Sequence, residues 1–132
     1  MDNAFPDKYR DLFDKKAFGA FTTLNADGSP QTSPVWVDYQ QGQVWVNSAI
    51  GRLKDRNVRR DPRVAVAIID PENAYRYVEV RGRVREITQT GADEHIDKMA
   101  KKYLGQDKYP FRQPGEQRVL YKIDIEKAHG MG

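Results

Sequence analysis

The stretch Arg63 to Ile69, RVAVAII, is almost wholly apolar and is bracketed by Asp61-Pro62 and Asp70-Pro71. Short apolar runs closed by turn signals read as strands, and one this uniformly apolar reads as a central strand buried on both faces. A chain organised around such a strand has to build a sheet, and the flanking sequence supplies one.

Ala17 to Leu24 (AFGAFTTL) reads as a strand that ends in the turn Asn25-Ala26-Asp27-Gly28-Ser29-Pro30. Gln31 to Tyr39 reads as a second strand, placed by Pro34 at an edge or bulge. After Gln40-Gln41-Gly42, Gln43 to Asn47 reads as a third, with Val44 and Val46 on one face and Trp45 on the other. Tyr75 to Ile87 alternates with period two, and Gly82 within it predicts a bulge or a close backbone approach. Gln117 to Ile125 is the last strand. Three short helices are expected, at Phe5 to Lys16, Gly51 to Arg60 and Thr90 to Leu104. Asp61-Pro62 stops the second, with Ser48 as its N-cap, and Gly105 ends the third. Residues 1–132 thus read as a single, mainly β domain, with six strands in a closed or partly closed barrel.

There is no cysteine, which excludes disulfides and Cys-ligated metal sites. The start, MDNAFPDK, lacks the basic-then-apolar shape of a signal peptide, and no stretch is long and apolar enough to span a bilayer. The expectation is a cytoplasmic protein without membrane contact. His95 and His129 stand in no metal-ligand spacing, and His95 with Glu94 and Asp97 reads as a solvated helix face, so no metal is expected. Trp36, Trp45, Tyr75 and Tyr77 read by default as core.

Charge is concentrated. Gly51 to Arg63 carries six basic residues against Asp55 and Asp61, a surplus of four where the whole chain has three. A strand end, a glycine turn and a basic helix make an anion site at the helix N-terminus, where free N–H groups and the helix dipole add to the cations. Ser48, Arg52 and Lys54 are the side chains for it. The same run also fits a solvated basic face, or a stripe for nucleic acid along Arg52, Arg56, Arg59, Arg60 and Arg63. Against nucleic acid, the rest of the chain is nearly charge-balanced.

Five segments occur in order: GSPQTSPVW (Gly28–Trp36), VWVNS (Val44–Ser48), GRLKDRNVRRDPRVA (Gly51–Ala65), YRYVEVRG (Tyr75–Gly82) and KYLG (Lys102–Gly105). Together they resemble the pyridoxamine 5'-phosphate oxidase-like split-barrel superfamily, and within it the flavin/deazaflavin oxidoreductases of the B type. The resemblance covers about Phe18 to Ile125. It implies a six-stranded split β-barrel and a homodimer with cofactor sites at the subunit interface. Ser48, Arg52, Lys54 and Asn57 would hold the cofactor phosphate. Gln31, Ser33, Pro34 and Val35 would lie along the ring, Tyr75 and Tyr77 would reach in from the second subunit, and Arg118 would contribute from the last strand. The implied activity is hydride transfer between coenzyme F420 and a small conjugated organic molecule. FMN is the alternative cofactor, and a non-catalytic flavin- or haem-binding module the alternative role. Arg56, Arg59 and Arg60 would suit the anionic tail of F420, or plain surface charge.

Overall fold

A computed structural model describes residues 5–132. A 3-10 helix, η1 (Asp7–Asp14), leads into β1 (Phe18–Leu24), β2 (Pro30–Trp36), β3 (Asp38–Gln40) and β4 (Gln43–Ala49). Helix α1 (Leu53–Arg60) follows, then β5 (Arg63–Ile69), β6 (Tyr77–Thr88), helix α2 (Ala92–Leu104) and β7 (Arg118–Met131). All seven strands join one antiparallel sheet in the order β2-β1-β5-β6-β7-β4-β3.

This order dictates the shape. β2 and β3 are the two edges of the sheet, yet only Val37 separates them along the chain. One residue spans at most about 3.6 Å, so the end of β2 must meet the start of β3. The sheet curls until these ends meet, which makes the expected split barrel, mainly β with short helices. Its strand count is seven rather than six because the second predicted strand breaks at Val37. Helix α2 takes both backbone groups of that residue. The Val37 N–H donates to the Tyr103 hydroxyl (3.1 Å), and its carbonyl accepts from Lys102 Nζ (3.1 Å). Tyr103 in turn donates to the Ala17 carbonyl (2.6 Å).

Alternate residues of the strands fill the barrel: Phe21, Val44, Val46, Val66, Ile68, Val78, Val80, Tyr121 and Ile123 are all buried. Tyr9, Leu12 and Phe13 of η1 join this core, as their spacing predicts. β5 is the exception to expectation. Val64, Val66 and Ile68 point inward, but Ala65 and Ala67 are only half-buried and Ile69 is exposed, so its outer face is uncovered in the single chain. Tyr75 lies in the turn before β6 rather than in a strand. Gly82 is a point of close approach. A Cβ there would run into the backbone carbonyl of Asp124, and the ladder with β7 shifts register between Arg81 and Gly82. β7 runs six residues past its predicted end, because Lys127 to Met131 pair back onto Tyr77 to Arg81. Among the described residues no helix is long and apolar enough to cross a membrane.

Candidate functional site

The turn between β4 and α1 is the start of the site. Gly51 takes φ 95°, a conformation that favours glycine, and it turns the chain into α1. The N-cap is Arg52, not Ser48, and no side chain caps the helix, so its first N–H groups lack a side-chain acceptor. The turn is held from beneath by Asp55. This buried carboxylate accepts from the Gly51 N–H (3.1 Å), Arg59 Nε (3.0 Å) and the Tyr121 hydroxyl (2.7 Å). Burial works to raise its pKa, but these three donors outweigh burial and hold it below the ordinary carboxylate value. Burial, and then the bond to Asp55, pushes the Tyr121 phenol far up.

Above this latch lies a hollow of about 150 Å³. Among the described residues, Arg52, Lys54 and Arg118 are its charged lining, and no carboxylate lines it. Its apolar walls come from Phe18 of β1, Trp36 of β2, Ile96 of α2, and Tyr109 and Phe111 of the loop before β7. Pro34 and Val35 of β2 and Asn47 of β4 complete it. Trp36 stacks on Tyr103 (5.1 Å between centroids, 8° between planes) and meets Tyr109 edge-on (5.9 Å, 87°).

The three cations are held differently. Arg118 is buried: its Nε donates to Asn47 Oδ1 (2.9 Å), NH1 donates to Glu116 (3.0 Å), and its guanidinium lies over the Tyr109 ring (4.9 Å). Arg52 is exposed on one side and lies 3.6 Å from Glu116. Lys54 is half-buried and forms no ion pair among the described residues. Burial, then repulsion from Arg52 and Arg118, pushes its ammonium below the ordinary lysine value. Three cations against the single neighbouring carboxylate of Glu116 leave this hollow short of negative charge.

Pro34, Val35, Arg52, Lys54 and Arg118 are therefore brought together as expected. Other expected residues stand apart. Asn57 is buried and spent within the fold: its amide nitrogen donates to Thr23 Oγ1 (3.0 Å) and Asn25 Oδ1 (2.9 Å), and its oxygen accepts from Arg60 (3.1 Å). Gln31 accepts from Thr23 Oγ1 (3.1 Å). Ser48 sits at the end of β4 with its hydroxyl buried beside the Tyr121 phenol, close enough to depress it slightly, without a well-formed hydrogen bond of its own. The Ser33 hydroxyl is likewise buried and unpaired. Tyr75, 84% exposed, and Tyr77 are not among the residues lining the hollow. Arg56, Arg59 and Arg60 are tied to the Gly51 carbonyl, Asp55 and the Leu24 carbonyl.

Two readings are corrected. His95 is not on a solvated face. It is buried, with Nε2 3.0 Å from Asp38 Oδ2 and Nδ1 3.2 Å from Asn47 Nδ2. None of the four aromatic residues assigned to the core is fully buried: Trp36 and Trp45 are half-covered, and Tyr75 is open to solvent.

The sequence model of the pyridoxamine 5'-phosphate oxidase family matches residues 5–132. Among solved structures, an F420 reductase is 28% identical over 95% of this chain and 98% of its own, with a TM-score of 0.82. A conserved hypothetical protein from Mycobacterium tuberculosis shares the fold at 21% identity, covering 99% of this chain and 88% of its own (TM-score 0.73). General stress protein 26 from Bacillus anthracis shares it at 18%, covering 95% and 92% (TM-score 0.70).

Proposed function

The chain belongs to the pyridoxamine 5'-phosphate oxidase family, and from that premise we propose that it is an F420-dependent oxidoreductase acting on a small conjugated organic substrate. The observation that carries the reading is the hollow itself, with three cations, no carboxylate among its described lining residues, and aromatic walls. The residues fit a phosphate-bearing planar cofactor. Among the described residues Lys54 has no counter-ion, and the buried hydroxyls of Ser33 and Ser48 have no well-formed hydrogen bonds. The likeness to an F420 reductase over nearly the full length of both chains favours the deazaflavin over FMN.

When bound, F420 supplies the hydride chemistry, and the protein supplies binding, orientation and electrostatics. Arg52 and Lys54 would hold the phosphate, with Arg118 as a fixed third cation. β2 is an edge strand, so one side of its backbone from Gln31 to Val35 is free to meet the polar edge of a ring. Phe18 and Phe111, both largely exposed, would exclude water from the ring. The hollow is smaller than the roughly 300–1,000 Å³ of ordinary ligand sites. That shortfall, with the uncovered Ala65, Ala67 and Ile69 face of β5, supports a homodimer in which Tyr75 and Tyr77 of a second copy complete the site.

The test is a titration of the purified protein with F420 and FMN side by side. F420 is expected to bind at micromolar concentration with its fluorescence quenched. Replacing both Arg52 and Lys54 by alanine should weaken binding at least about a hundredfold, each charged hydrogen bond contributing about 1.5–3 kcal/mol. Tighter binding of FMN would reassign the cofactor, and binding of neither would refute the site. Gel filtration at the mass of one 15.2 kDa chain would refute the shared site.

A further inference from the structure

Behind Arg118 a row of polar groups runs inward through Asn47 and His95 to Asp38. Every proton in it can be assigned from chemistry. Arg118 Nε–H can only donate, so the Asn47 oxygen must face it (2.9 Å). The Ala92 carbonyl can only accept, so the Asn47 nitrogen must face that (2.8 Å). The second hydrogen of the same NH2 group then points to His95 Nδ1 (3.2 Å), which must be bare. The imidazole proton is left on Nε2, where it donates to Asp38 Oδ2 (3.0 Å). The arrangement admits a neutral His95 in one tautomer.

A second proton would break it. Nδ1–H and the Asn47 NH2 would be two donors facing each other. Turning the amide over would satisfy the imidazolium but present NH2 to the Arg118 Nε–H, a donor against a cation. We infer that Asn47 and His95 are positioning residues for Arg118, keeping its guanidinium in the anion hollow while His95 is neutral and releasing it when His95 gains a proton. The inference rests on the hollow being the cofactor-phosphate site. Among the described residues Arg118 NH2 has no hydrogen-bond partner, so its direction depends on the Nε and NH1 anchors of the same guanidinium. The charged groups around the imidazole are Asp38 from β3, Lys98 and Lys102 of α2, which act on Asp38, and two cations of β7. These last are Arg118, behind Asn47, and Lys122, which lies over the Trp45 ring beside the imidazole. Glu116 anchors the far side of Arg118. The carboxylates at the two ends of the row are therefore already bonded, and Asn47 is the member that must turn.

The experiment has two arms. First, 15N NMR of the ligand-free protein follows the His95 ring nitrogens and the Arg118 Nε–H as the pH is lowered from about 8 to about 5. The expected result is the Nε2–H tautomer at high pH, with a protected Arg118 Nε–H that becomes exchangeable as His95 is protonated. Second, F420 affinity is measured across the same range for the wild type, Asn47→Asp and His95→Gln. Wild-type affinity should fall roughly tenfold on protonation, as one held cationic donor is lost. Asn47→Asp gives up the donor to the Ala92 carbonyl, but its two oxygens accept from imidazolium and guanidinium, so its Arg118 Nε–H should stay protected as His95 is protonated and its affinity, whatever its absolute value, should lose that fall. His95→Gln has no proton to gain and should also be flat. An Nδ1–H tautomer, or variants whose pH profiles follow the wild type, would overturn the inference. A wild type that fails to bind F420 would sink the functional reading alone, because the NMR arm decides the inference without ligand.

Discussion

Replacing Lys54 by glutamine is expected to stabilise the ligand-free protein and to weaken its hold on an anion. Lys54 is half-buried and repelled by Arg52 and Arg118, and its pKa is depressed by both causes. A lysine with a folded pKa below its unfolded value destabilises the native state fully at pH below the folded pKa. The penalty fades as pH rises towards the unfolded value near 10.4. The gain from Lys54→Gln is therefore largest at neutral pH and shrinks in alkali. It should stay below about 1 kcal/mol, because Arg52 is 45% exposed and solvent screens the pair.

Binding should move the other way and further. Loss of one charged hydrogen bond to phosphate costs about 1.5–3 kcal/mol, roughly ten- to a hundredfold in Kd. At F420 equal to about 100 times the wild-type Kd, the ligand stabilises the wild type by about 2.7 kcal/mol. A variant roughly thirtyfold weaker gains only about 0.9 kcal/mol at that concentration. The deficit of about 1.8 kcal/mol exceeds the ligand-free advantage, so the order of the two urea midpoints should reverse when F420 is added. A Lys54→Gln protein that is less stable without ligand, and equally stabilised by it, would refute the electrostatic account of the hollow.

Tyr121→Phe removes a 2.7 Å hydrogen bond to a buried carboxylate and should cost about 1.5–3 kcal/mol, seen as a lower urea midpoint at unchanged slope. Asp70 is buried and accepts from the Glu72 N–H, Arg76 and Lys15, tying the end of β5 to Lys15, just past η1. The Glu72 N–H first, then these side-chain bonds, outweigh burial and hold its carboxyl down at about 2. A depressed carboxyl contributes stability above its unfolded pKa near 3.9 and loses it as pH falls towards the folded one. Acid unfolding of the wild type should therefore steepen between about pH 4 and about pH 2, and Asp70→Asn should flatten that window in a pH-dependent denaturation series.

What was legible in the sequence was local. The apolar run of β5, the valine alternation of β4 and the Asp61-Pro62 stop after α1 each follow from the backbone of a few neighbouring residues, and each is where it was expected. The break at Val37 was not legible, since it is made by Lys102 and Tyr103, more than sixty positions away. Asn57 belongs to the basic motif by sequence but is consumed by Thr23, Asn25 and Arg60, a contact set that exists only once α1 has docked on β1. His95 is legible by helical spacing: it falls on the same stripe as Ala92, Ile96 and Met99, the buried side of α2, while the acids beside it in sequence lie off that stripe. Tyr109 and Phe111 carried no signal, because a loop has no periodicity to betray which residues turn inward.

The position of the hollow follows from how the barrel closes. β2 and β4 both line it, yet they are not ladder neighbours: β2 is one edge of the sheet, and β4 stands next to the other. The hollow therefore lies across the seam of the split barrel. A closed ladder would have spent the β2 backbone groups on a neighbouring strand; at the seam one side of β2 stays unpaired. Only there can a strand offer main-chain donors and acceptors to a bound ring while the same opening admits cations from β7 and the start of α1. Lys102 and Tyr103 hold both backbone groups of Val37, the residue joining β2 to β3. The β2–β3 corner is thus tied to α2, the helix that also gives Ile96 to the hollow, and the cations at the hollow include Lys54, whose ammonium is depressed by burial and by Arg52 and Arg118.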